Sequence, residues 1–180
     1  FLLHTGDLTH LSKPAEFDAL QQMLSELPIP TFYVPGEHDV LDDERRRYLD
    51  RFGRGTQGAG WHSFDKNGAH FIGLVNVVNL QAGGLGNLGA DQLEWLERDV
   101  KHLKSSTPIV VFAHIPLWSV YPEWGWGTDD AERAPRQLDA AVLLLAVLDA
   151  LLEIRARGER LDVGCGGNDV ARIGEQRREH

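Results

Sequence analysis

The sequence predicts an α/β fold, and three observations carry that prediction. Short β-rich apolar runs alternate with stretches whose apolar residues recur at helical spacing. The first such strand, helix and strand occupy residues 1–34, the length of a βαβ unit. Three of the apolar runs end in loops that carry ionisable side chains, namely Asp7, Glu37-His38-Asp39 and His114. α/β folds place their chemistry at the carboxyl edge of the sheet, where such loops leave it.

Taken in order, Phe1 to His4 reads as a strand that runs into Thr5-Gly6-Asp7-Leu8-Thr9-His10. Ser12 is placed to cap a helix begun by Lys13 and Pro14, with Phe17, Leu20, Leu24 and Leu27 on one face. Pro28-Ile29-Pro30 ends it, and Thr31 to Val34 is a second strand, parallel to the first. That strand stops at Pro35-Gly36 and presents Glu37-His38-Asp39. Asp42 or Asp43 can cap a short helix to about Phe52, with Tyr48, Leu49 and Phe52 inward. Its Arg45-Arg46-Arg47 is expected to be a solvated face, the alternative being a phosphate-steering patch. Asn67-Gly68 suits a two-residue hairpin turn between 61–66 and 69–75. His62 and His70 on these strands are expected to serve the strands and not a metal.

Gly83-Gly84-Leu85-Gly86 has neither P-loop nor dinucleotide-fold spacing, so 76–89 is expected to be a plain connection. A helix from about Ala90 to Leu103 follows, burying Leu93, Leu96, Val100 and Leu103. Pro108 to Ala113 is a buried strand ending at His114. The loop from Trp118 to Gly127, rich in aromatics and glycine, either walls a substrate pocket or packs its own rings against the domain. Beyond it the composition changes. No Phe, Tyr or Trp lies after Trp126, and no Ser or Thr after Thr128. Residues 1–128 are therefore expected to form the domain and 129–180 an atypical tail. Leu145, Leu148 and Leu152 suggest a helix from Gln137 to about Arg157, and the rest of the tail supports no element.

The 180 residues are one domain's worth, and a formal charge of −9 argues against a nucleic-acid partner. A divalent cation would offset part of that field. Cys165 is the single cysteine, which excludes a disulfide framework and a cysteine metal cage. The longest apolar run, 140–148, is far short of the roughly 20 residues that span a bilayer. Phe1 already lies inside an expected strand, so the natural chain is expected to start upstream.

Asp, Glu and His at separate strand ends suit a hydrolytic site built from hard oxygen and imidazole ligands. Two bridged cations about 3.5–4 Å apart can clamp a phosphate and acidify water. An imidazole beside a carboxylate can protonate a leaving oxygen, and His38 next to Asp39 has that chemistry.

Gly6-Asp7, Gly36-Glu37-His38-Asp39 and His114 together resemble the ordered motifs of the calcineurin-like metallophosphoesterases: D-x-H, G-D, G-N-H-[DE], a lone H, and G-H-x-H. The text around Asp7 and around Tyr121 to Gly127 is similar to a bacterial subgroup that often carries an export signal, which favours an exported, periplasmic location, with a cytoplasmic one the alternative. The resemblance implies a partial four-layer fold, a sheet core with flanking helices, and a C-terminal tail that is helical or disordered. It implies divalent metal (Mn, Fe or Zn) and a phosphomonoester or phosphodiester small molecule as substrate. Asp7 would bridge two cations, Glu37 would stand at the Asn position, and His114 would bind the second cation. His38 would contact the phosphate or protonate the leaving group, with Asp39 supporting it.

The departures from the pattern are specific. The D-x-H motif would precede Phe1, Glu replaces Asn at 37, and no G-H-x-H follows His114. By resemblance, the first cation would keep only Asp7, and the second Asp7, Glu37 and His114. A change of reading frame or a junction between about Asp129 and Gln137 would explain both the composition break and the missing motif. The expectation is hydrolysis by the parent family with this chain inactive or impaired, or else a non-catalytic single-metal binder or interaction remnant.

Overall fold

In the computed structural model, the described residues are 1–41, 45–78, 85–118, 127–135, 138 and 142–145. The first unit is the expected one. Strand β1 (Leu2–His4) pairs in parallel with β2 (Thr31–Tyr33), in the register Leu2 to Thr31 and His4 to Tyr33, and helix α1 (Pro14–Ser25) crosses between them. Pro14 opens α1 at a position whose N–H would have no partner anyway. Ser12 does not cap it. Its φ is +52°, its hydroxyl donates to His38 O at 2.6 Å, and it accepts from Leu41 N–H at 3.0 Å. The helix start is served instead by Glu16, whose carboxylate reaches back to the N–H groups of Leu11 and Lys13. Phe17 is buried, but Leu27 lies past the helix end and is exposed.

Helix α2 (Arg46–Phe52) packs Tyr48, Leu49 and Phe52 against Phe17, Leu20 and Tyr33. The residues expected to cap it, Asp42 and Asp43, lie outside the described residues. Arg47 donates to Ser12 O at 3.1 Å, so this helix braces the loop after β1.

A second sheet has the order β3 (His62–Lys66), β4 (Ala69–Gly73), β6 (Ile109–Ala113), β8 (Val142–Leu145). Strands β3 and β4 form the antiparallel hairpin, with Asn67 at φ +53° and Gly68 at +80°, the left-handed pair that such a turn needs. Strands β4, β6 and β8 run parallel. Helix α3 (Ala90–Val100) lies within the β4-to-β6 crossover, and Leu93, Leu96 and Val100 pack on Ile72, Val111 and Leu117. A fully buried Leu or Ile in this cluster contributes about 1.5–3 kcal/mol. A two-residue strand β5 (Leu85–Gly86) pairs with β7 (Gly127–Thr128). Gly83, Gly84 and most of the aromatic loop lie outside the described residues.

Strand β8 corrects one expectation, since the periodicity predicts helix across 137–157. The run Val142-Leu143-Leu144-Leu145 is uniformly apolar, and such a run is equally a strand buried inside a parallel sheet. Pairing with β6 in the register Val110 to Val142 selects the strand.

The two sheets meet through rings. Phe32 on β2 stacks on Phe64 of β3 at 3.6 Å, Phe64 stacks on its cross-strand neighbour Phe71 at 5.0 Å, and Phe1 meets Phe71 edge-on at 5.3 Å. Gly73 leaves the room that the His62 and Phe112 rings occupy.

Candidate metal centre

Three strand ends converge. β1 delivers Asp7, β2 delivers Glu37 and β6 delivers His114, and one ligating atom from each lies within 4.8 Å of the others. Asp7 has φ +54°, in the left-handed region that Asp tolerates better than most residues. Gly6 before it has φ +110°, and a Cβ there would strike His114 Nδ1 and the Gly36 backbone. A Cβ on Gly36 would strike Asp7 Oδ1. The Gly6-Asp7 and Gly36-Glu37 pairs are therefore one packing solution, in which the absence of two side chains lets two loops approach.

His114 is oriented for ligation. Its Nδ1–H donates to Thr5 O at 2.8 Å, which leaves Nε2 facing the carboxylates. Nε2 is 2.7 Å from Glu37 Oε2 and 3.7 Å from Asp7 Oδ2. Atoms sharing one cation at bonds of about 2.0–2.2 Å stand about 3–3.5 Å apart, and these distances bracket that range. Glu37 Oε2 is buried, and no donor among the described residues is aligned on it. A buried carboxylate oxygen facing an imidazole nitrogen without an aligned hydrogen bond fits a cation between them.

The titration directions agree with this crowding. Burial raises the pKa of Asp7, His114 opposes the rise, and the nearby Glu37 adds to it. Glu37 is lowered, first by its contact with His114 and against its own burial. For His114 burial pulls downward, but Glu37, Asp7 and the Thr5 carbonyl outweigh it and the net shift is upward.

His38 and Asp39 follow Glu37 in a short 3-10 turn, Glu37–Asp39. The His38 N–H donates to Asp7 Oδ1 at 3.2 Å, its ring Nδ1–H donates to His10 O at 2.7 Å, and the His10 ring stacks on it at 5.3 Å. The support expected from Asp39 is not made at the ring. The Asp39 carboxylate is 1% exposed and turns the other way, onto backbone N–H groups of Leu8, Thr9 and Gly36. Adjacent residues in a tight turn point apart, so neighbouring positions in sequence did not become a contact pair.

His62 and His70 stay out of the centre, as expected. His62 lies in the aromatic array, and His70 bridges Asp65 and Asp99. Sequence reasoning missed Asn76. Fully buried, it donates to Ile115 O at 2.7 Å and to Thr128 Oγ1 at 2.8 Å and accepts from Ile115 N–H, pinning the residue after His114. The available signal was a polar residue directly after the apolar run Ile72 to Val75, at the same sheet edge as the three candidate ligands.

Three carboxyl-edge loops and a cluster of hard donors beside parallel strands are the arrangement of a hydrolytic metal site. The chain belongs to the calcineurin-like phosphoesterase family, whose family model matches residues 1–146. A particular relative is a 3',5'-cyclic-nucleotide phosphodiesterase of Nostoc sp. (strain PCC 7120), 32% identical over 124 residues, which are 68% of this chain and 43% of that protein. The chain thus matches less than half of that relative's length. The family is metal-dependent and acts on phosphoester small molecules. Among the described residues no helix is long and apolar enough to cross a membrane.

Proposed function

We propose that Asp7, Glu37 and His114 hold one divalent cation (manganese, iron or zinc), and that this centre hydrolyses phosphoesters at an impaired rate compared with a two-cation site. The supporting observation is the 2.7 Å approach of His114 Nε2 to an oxygen of Glu37 that has no aligned donor among the described residues. A cation held there would supply Lewis-acid charge of the kind that polarises a phosphoryl oxygen and acidifies water. Glu37 adds a full negative charge where the family pattern has an amide, which strengthens the hold on a cation and opposes an incoming phosphate.

The chain's own groups do the rest. With Nδ1–H held by His10 O, the His38 ring has its Nε2 left to meet a phosphoryl or leaving-group oxygen. The His38 N–H steadies the Asp7 oxygen that it contacts. The relative's name favours a phosphodiester as substrate class, with phosphomonoesters the alternative.

Titration calorimetry with MnCl2 and with ZnCl2, paired with turnover of bis(p-nitrophenyl) phosphate in manganese, tests the reading. One binding event lost in His114→Ala, with slow turnover lost in His38→Ala, is the expected result. Binding without turnover makes the chain a non-catalytic metal binder, and no binding refutes the centre.

A further inference from the structure

We propose that Asp39 is a positioning residue, a buried anionic clamp that sets the distance between the loops carrying Asp7 and Glu37. The inference rests on the proposed centre and deepens it. All four of its contacts are donated to it. Oδ1 accepts from Thr9 N–H at 2.8 Å and from the Thr9 hydroxyl at 2.9 Å; Oδ2 accepts from Leu8 N–H at 3.0 Å and from Gly36 N–H at 2.9 Å. Leu8 and Thr9 directly follow Asp7, and Gly36 directly precedes Glu37. One carboxylate therefore gathers the backbone beside two ligands that lie 30 residues apart in sequence.

The chemistry selects a carboxylate. Each oxygen faces two donors, and an ionised Asp accepts at both oxygens and donates at neither. Asn would turn an NH2 group against two N–H donors or against an N–H and a hydroxyl, whichever way it flipped. The contacts are charge-assisted and out of water, where hydrogen bonds to an ion are strongest. Ser12 extends the clamp on the same seam, its hydroxyl donating to His38 O at 2.6 Å, and the Thr9 hydroxyl, whose one proton serves Asp39, lies 3.1 Å from the same oxygen. Glu37 and His38 are thus held from both sides, and the contact that crosses to Asp7 is the His38 N–H at 3.2 Å.

The test uses the full chain with Asp39→Asn, the milder Thr9→Val, which removes the hydroxyl contacts alone, and Leu96→Ala. The last opens a cavity in the core cluster under α3, away from Leu8, and serves as a stability control. Two readouts are taken. In metal-free protein, amide hydrogen exchange at Leu8, Thr9, Gly36 and His38 should quicken in Asp39→Asn by about 10- to 100-fold, the loss expected for hydrogen bonds to a charged group. Thr9→Val should give a smaller change at the same amides, and Leu96→Ala should leave the four unmoved relative to one another. With cobalt(II) as probe, Asp39→Asn should weaken binding by at least about tenfold and alter the visible absorption band, whereas Leu96→Ala should keep both.

If Asp39→Asn folds with wild-type exchange at these amides, the clamp is refuted whatever the metal does. If wild type binds no cobalt but the exchange pattern holds, the clamp stands as loop geometry and the metal reading fails. Should Asp39→Asn not fold, Thr9→Val decides: unchanged exchange and unchanged cobalt affinity overturn the proposal.

Discussion

Replacing His70 with Leu should destabilise the protein, more so in mild acid than in alkali. The ring is 6% exposed and sits between two carboxylates, Nδ1 at 2.8 Å from Asp65 and Nε2 at 2.9 Å from Asp99. Carboxylates only accept, so both nitrogens donate together when the ring is an imidazolium. Burial lowers its pKa, but Asp99 and then Asp65 raise it more, and the net shift is upward. The sign follows from linkage: a raised folded pKa gives stability that is complete below the unfolded value near 6.5 and lost as pH climbs through the folded value. Asp99 is 17% exposed, and without the ring it keeps, among the described residues, the Ser63 hydroxyl at 2.8 Å, a loss of about 1.5–3 kcal/mol for a hydrogen bond to a charge. Asp65 is 81% exposed and is discounted to about 0–1 kcal/mol. Paired urea melts of wild type and His70→Leu should differ by about 1.5–4 kcal/mol at about pH 5.5 and by about 1 kcal/mol once the ring is neutral. An equal deficit at pH 5.5 and pH 9 would refute the imidazolium.

Three further outcomes follow from other contacts. Gly36→Ala places a methyl on Asp7 Oδ1 and should abolish cation binding by calorimetry even where circular dichroism shows a folded chain. Gln92→Leu strands Val75 N–H, Val75 O and Leu88 O, all now satisfied by one buried amide, and should cost about 2–4 kcal/mol in a denaturant melt. Adding manganese at about 100-fold over its Kd should raise stability by about 2.7 kcal/mol, and this gain should vanish in His114→Ala.

The convergence of Asp7, Glu37 and His114 was legible because it follows a local rule: a β-rich run, a stop, then hard donors. The hairpin at Asn67-Gly68 was legible for the same reason, since two residues determine the turn. Asp39 was misread as a partner of His38 because its donors at Leu8, Thr9 and Gly36 are brought in by the β1–β2 pairing, which no neighbouring residue announces. Ser12 has the chemistry of a cap and is spent on the His38 carbonyl. The 142–145 run was misread because its apolar residues fit a helix or a buried strand, and only β6 beside it decides.

The ring-to-ring contact between the sheets has a mechanical meaning for the centre. Asp7 and Glu37 hang from the β1–β2 sheet and His114 from the other, and among the described residues the two sheets share no ladder. How Phe32 seats on Phe64 therefore bears on the span of the centre, alongside the Thr5 to His114 hydrogen bond. A cation bound across it would act as a rivet between the Asp7 and His114 segments, a junction that the Thr5 to His114 hydrogen bond already makes across 109 residues. Shaving either ring should loosen the rivet hole without touching a ligand, which makes cation affinity a gauge of sheet alignment.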